Sequence, residues 1–168
     1  MDTQTSVRCE INGRPAVLTG DPASPALAAL RAHGLLSVRE TCGLGVCGTC
    51  TVLLDDEPVS ACILPLYALE GGVLRTAEGL AEGGRLSELQ EQFIASQAFQ
   101  CSFCTPGFLM SGTALLEATD GPLDAQAVED GLQGHLCRCG CYAAITEAVQ
   151  ACAGRRGAHG SCAAREAR

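Results

Sequence analysis

Twelve cysteines in 168 residues constrain this chain more than any other feature. Eight of them fall in two tight groups: Cys42, Cys47, Cys50 and Cys62, then Cys101, Cys104, Cys137 and Cys139. A secreted chain would use such a set as a disulfide framework, whereas a reducing compartment turns it to metal binding or catalysis. The start, Met1-Asp2-Thr3-Gln4-Thr5-Ser6, has neither a positive opening nor an apolar run nor a twin arginine. No export signal is read, and a cytoplasmic location is expected. With the uneven spacing, this points to metal.

The first group runs Cys-x4-Cys-x2-Cys, with the fourth cysteine after a further eleven residues. The first three match the plant-type ferredoxin run that holds a 2Fe–2S cluster. Four thiolates must surround two irons, so the loop has to fold around the cluster. Gly43, Gly45 and Gly48 lie between the ligands, where a backbone without side chains bends tightly and aims its N–H groups at sulfur. A zinc site more often pairs two short knuckles. A redox Cys47-Gly-Thr-Cys50 pair would leave Cys42 and Cys62 without a role.

Cys101-Ser-Phe-Cys104 and Cys137-Arg-Cys139 stand about thirty residues apart, each just before a helical segment. Two helix N-termini brought together favour a negatively charged, thiolate-bound centre. Zinc competes seriously here, because two short-spaced pairs also suit a tetrahedral site.

Around these groups the pattern changes once. The first half is β-rich: strands over 6–11 and 14–18 flank the Asn12-Gly13 turn, and a helix is expected over 21–33, with Ser24 as cap, Pro25 opening it and Gly34 stopping it. A second strand pair follows, over 51–54 and 59–63, then a short strand over 73–76. The glycines of 79–85 read as a linker. Beyond it, helical spacing predicts helices over 86–99, 106–116, 124–132 and 142–152. The expected division is a 2Fe–2S domain over 1–79, a helical 2Fe–2S domain over 80–153 and a flexible tail over 154–168. The net charge of −8 makes nucleic acid and anionic membrane poor partners. No apolar run approaches the roughly 18 residues of a membrane span, so no membrane insertion is expected.

Taken together, Cys42-Gly-Leu-Gly-Val-Cys-Gly-Thr-Cys-Thr51, Thr76-Ala-Glu-Gly-Leu80, Gln100-Cys-Ser-Phe-Cys-Thr-Pro-Gly107 and Gly134-His-Leu-Cys-Arg-Cys139 resemble the iron–sulfur small subunit of the molybdenum hydroxylases. This is the xanthine dehydrogenase family, which includes carbon monoxide dehydrogenase and the nicotine and isoquinoline dehydrogenases. The similarity runs from about Val7 to Ala151. It implies an α+β chain, with an N-terminal β-grasp ferredoxin-like domain followed by a C-terminal four-helix bundle, each holding one 2Fe–2S cluster. It also implies that Gln100 contacts the pterin of a molybdopterin cofactor bound by a large partner subunit, with Cys139 close by. Electrons would pass from that cofactor through both clusters, one at a time, to a flavin (FAD) subunit or a cytochrome.

Three positions depart from the family pattern. Ser102 stands where glycine is usual, His135 where asparagine is common, and Gly140-Cys141-Tyr142 replaces the frequent Thr-Gly-Tyr. Cys141 is thus a rival for Cys139, but the Cys-Arg-Cys spacing keeps the assignment on Cys139. Cys9, Cys152 and Cys162 lie outside all motifs and are read as buried or incidental thiols. The chain carries no acid–base or nucleophile constellation, so the catalytic centre belongs to a partner. The competing classes are a free-standing two-cluster ferredoxin and a zinc-stabilised interaction module.

Overall fold

Asn12 and Gly13, at φ 51° and 76°, close the tight turn joining strand β1 (Thr5–Ile11) to β2 (Arg14–Gly20), because this turn demands a left-handed backbone at both central residues. The computed structural model describes residues 5–158, with side chains through Arg155. On β1 the alternating residues Val7, Cys9 and Ile11 are buried. Helix α1 (Ala26–Ala32) presses Ala26, Leu27 and Leu30 into the same core. Strands β3 (Thr51–Leu54), β4 (Glu57–Ser60) and β5 (Val73–Arg75) complete a five-stranded sheet of order β2-β1-β5-β3-β4. Its β1–β5 pairing is parallel and the others antiparallel.

Two expectations in this half need correction. Helix α1 is shorter than 21–33, and Ser24 does not cap it. Pro25 occupies the cap position at ψ 132°, with no side-chain cap bond. Asp21 Oδ1 accepts from Ala23 N, and its carbonyl accepts from Ser24 N, so 21–24 form a turn instead. The β3 partner is Glu57–Ser60, not 59–63, because Asp55 and Asp56 alone make the turn at φ 50° and 69°. Pro58 then faces Leu53 on the sheet's edge strand, where a missing N–H is tolerated. The chain that follows bends instead of extending, with Ala61 N bonded to Cys50 O, and Cys62 turns toward the first cysteine loop.

The second half is helical: α2 (Glu88–Ala95), α3 (Thr105–Ala118), α4 (Ala125–Gly131) and α5 (Tyr142–Ala158). Ser87 and Gln90 form a reciprocal capping box at α2, and Asp124 caps α4 through Ala127 N. Phe93, Phe108, Val128, Ile145 and Val149 form this half's core. Helix α5 continues past the expected end at 152, so 154–158 is not the loose tail expected there. Arg155 bonds Glu88 and Gln92 of α2 and holds the added turn. The rest of the expected tail, with Cys162, lies outside the described residues. Cys9 and Cys152 are buried in the two cores.

The halves meet where α3 packs on β3 and β4. Gly107 of α3 lies so near Gly48 that a side-chain carbon there would clash with the Gly48 carbonyl oxygen.

Candidate metal centres

Between α1 and β3 the chain makes no regular element, and Gly43, Gly45 and Gly48 all take positive φ. That irregularity turns amides inward. Leu44 N donates to Cys42 Sγ at 3.4 Å, and Gly45 N donates to Cys62 Sγ at 3.2 Å. Buried Thr49, between two of the candidate ligands, bonds Arg39 O and Thr41 Oγ1 and lies 3.3 Å from Cys47 Sγ. The four thiols sort into pairs. The Cys42 thiol neighbours that of Cys47, and the Cys50 thiol neighbours that of Cys62. Backbone amides of Leu44, Val46 and Cys47, helped by the Cys47 thiol, hold Cys42 down at about 6. Burial pushes Cys50 up to about 11.

The second group is built from the N-terminal ends of α3 and α5. Cys104 is the cap residue of α3, and Cys137 and Cys139 precede α5. Pairing recurs, Cys101 with Cys139 and Cys104 with Cys137. The Phe103 amide and the Cys139 thiol lower Cys101, whereas burial and the Cys137 thiol push Cys104 up to about 12. Burial opposes ionisation of Cys137, but the Cys141 amide, the Cys104 thiol, the Cys139 amide and the Cys141 thiol together bring it below the ordinary range. Cys141 N donates to Cys137 Sγ at 3.4 Å, which makes Cys141 a fifth thiol beside the set. Gln100 is exposed next to exposed Cys101.

Among the described residues, no three His, Cys, Asp or Glu side chains gather closely enough to hold one metal ion. Two pairs of thiols per site suit a two-iron cluster, with a pair for each iron, better than one tetrahedral ion. The inward amides fit as well, since N–H groups aimed at sulfur stabilise a cluster's negative charge. The donor sets and their cradles therefore match 2Fe–2S clusters at both places.

Sequence reasoning did not find the groups that join the two sites. Leu136 N, one residue before Cys137, donates to Cys47 O at 3.0 Å. Arg39, just ahead of the first loop, bonds Ser102 O at 3.0 Å and lies 4.9 Å from the Phe103 ring centroid. Within the second site, the Tyr142 hydroxyl also accepts from Cys137 N at 2.9 Å. Only Tyr142 carried a sequence signal, its place just after the Cys-Arg-Cys run.

Comparison with known proteins agrees with the two sites. Residues 9–81 match a 2Fe-2S iron-sulfur cluster binding domain, and residues 76–150 match a [2Fe-2S] binding domain. The chain is 43% identical, over 148 residues, to the xanthine dehydrogenase iron-sulfur-binding subunit of Escherichia coli O157:H7, covering 88% of this chain and 93% of that one. It is 41% identical, over 147 residues, to the nicotine 6-hydroxylase small subunit of Paenarthrobacter nicotinovorans, covering 87% and 88%. Among solved structures, quinoline 2-oxidoreductase from Pseudomonas putida 86 superposes with a TM-score of 0.87 at 33% identity, covering 94% of this chain and 98% of its own. With two cluster-binding domains in this order and relatives matched over nearly their whole length, the chain belongs to the iron–sulfur subunits of the molybdenum hydroxylase, or xanthine dehydrogenase, family, the electron-transfer partners of a large catalytic subunit.

Proposed function

We propose that Cys42, Cys47, Cys50 and Cys62 hold one 2Fe–2S cluster, that Cys101, Cys104, Cys137 and Cys139 hold the other, and that electrons cross from the second to the first. When bound, each cluster takes up and gives back one electron at a time. The observation that carries this reading is the hydrogen bond from Leu136 N to Cys47 O. It links a residue adjoining one ligand set directly to a ligand of the other, across the seam between the two halves. A division of the chain near residue 80 fits the overlap of the two matched stretches at 76–81.

The entry face is proposed at Cys101 and Cys139, toward a molybdopterin cofactor on the large subunit, with Gln100 contacting the pterin. Support comes from the exposure of Gln100 and Cys101 and of the apolar Phe103 and Leu136 beside them. The exit face is proposed at the rim of the first loop, where Leu44, Val46 and Ile63 are 73%, 57% and 60% exposed. Such a patch beside a redox centre suits docking of a flavin-carrying subunit or a cytochrome. The eight proposed ligand cysteines are all reduced thiols, which accords with a reducing, cytoplasmic setting.

Iron analysis and low-temperature electron paramagnetic resonance of dithionite-reduced, natively purified protein test this reading. Four irons per chain (two clusters of two) and two distinct S = 1/2 signals are expected, with molybdenum co-purifying. Cys104→Ser should remove one signal and leave the other; two intact clusters in that variant would overturn the ligand assignment.

A further inference from the structure

We propose that His135 is a positioning residue for electron transfer between the two clusters, clamping the segment that carries Cys137 onto the loop that carries Cys47. The proposal rests on the two-cluster reading above and adds to it a residue that neither the ligand set nor the cysteine motifs include.

The imidazole stands at the meeting point of three elements. Its Nε2 lies 3.2 Å from Thr51 Oγ1 on β3 and 3.1 Å from Ser111 Oγ on α3, and its Nδ1 lies 3.3 Å from Leu132 O, just past α4. The ring also packs on Phe108, with centroids 5.0 Å apart. Thr51 and Ser111 are themselves buried, at 7% and 4% exposure, so these contacts are sheltered from competing water and their loss would leave polar groups unpaired. Thr51 in turn donates to Gly48 O at 2.8 Å, and the bridge thereby returns to the ligand loop between Cys47 and Cys50.

Steric fit points the same way. Gly48 has no side chain, and a carbon added there would lie 2.5 Å from the His135 ring and 2.8 Å from Gly134 O. Two cavities of about 200 and 400 Å³ flank the ring and share Gln133, Gly134 and His135 in their walls. The imidazole thus forms part of the wall of both cavities. The residue after His135 makes the Leu136 N to Cys47 O bond, and the one after that is Cys137. A ring fixed at both nitrogens sets where that amide lies, and with it the distance between the ligand sets.

Intercluster geometry is read directly from the magnetic splitting between the two reduced clusters, in natively purified complex whose iron content is measured alongside. His135→Ala should keep four irons and two signals yet lose or weaken the splitting. His135→Gln, whose amide reaches the position of Nε2, should restore it. Full iron, both signals and unaltered splitting in His135→Ala would overturn the proposal and leave the two-cluster reading standing. Absence of iron from the unmutated complex would sink that reading itself. If His135→Ala sheds a cluster, Ser111→Ala is measured in its place: weakened splitting with full iron supports the clamp, and unchanged splitting refutes it.

Discussion

Ser102 holds φ at 60°, in a region that penalises any residue with a side-chain carbon. The conformation is imposed from both sides. Cys101 and Cys104 must point into one site, and the Ser102 carbonyl is held by Arg39 Nη1 at 3.0 Å. The sequence marked this position as a departure from glycine, and the structure supplies the reason for glycine there. Ser102→Gly should stabilise the folded chain by up to about 1 kcal/mol, after allowing for glycine's freer unfolded state. A rise of about 2–4 °C in melting temperature would show it for a chain of this size. Cys141 illustrates the opposite case. The Gly140-Cys141-Tyr142 departure makes it a rival ligand that the Cys-Arg-Cys spacing disfavours, and in the structure its amide and thiol are directed at Cys137 while Cys139 pairs with Cys101. Cys141→Ala should therefore retain four irons per chain by metal analysis, and a variant with only two would make Cys141 a ligand. Ligand spacing was legible because a short loop leaves few ways to surround a cluster. The part played by His135 was not, because its partners Thr51 and Ser111 lie 84 and 24 residues away in sequence.

At the scale of elements, local chemistry decided what could be read. The Asn12-Gly13 hairpin and the Asp124 cap were legible, since each is a contact between near neighbours. Helix α1 was overextended because an alanine-rich run hides the extended geometry that Pro25 adopts where it pairs with Pro65 in an antiparallel bridge. Helix α5 was cut short because its last turn depends on Arg155 meeting Glu88, a partner 67 residues away. Helix α3 carries the tightest demand. Gly107 lets it approach the Gly48 carbonyl, and no flexible side chain lies between to yield. Gly107→Ala should cost roughly 3 kcal/mol, the upper end for overpacking, because backbone must move. Thermal unfolding would measure the loss, and a change below 1 kcal/mol would mean that the helix seats less closely than described.

Across the whole molecule, two cores share one seam. Their existence was legible from the shift between strand and helix periodicity, but the orientation of one half on the other was not, because the seam is made of backbone contacts and polar side-chain contacts between residues far apart in sequence. Gly107 against Gly48 and Leu136 against Cys47 leave no apolar pattern to read. The Leu136 amide finds its acceptor only when the Cys47 carbonyl is presented by a folded loop. Maturation of the protein should then have a built-in sequence of events: the N-terminal loop closes around its iron first, and the C-terminal loop is completed on that finished surface. Reconstitution of the apoprotein with iron and sulfide, followed over time by paramagnetic resonance, should show the N-terminal signal leading. Simultaneous appearance, or the reverse order, would mean that the two halves mature independently. A Leu136–Cys47 contact formed in that order would favour completion of the second centre on chains whose first is already complete, a bias toward whole molecules written into the backbone.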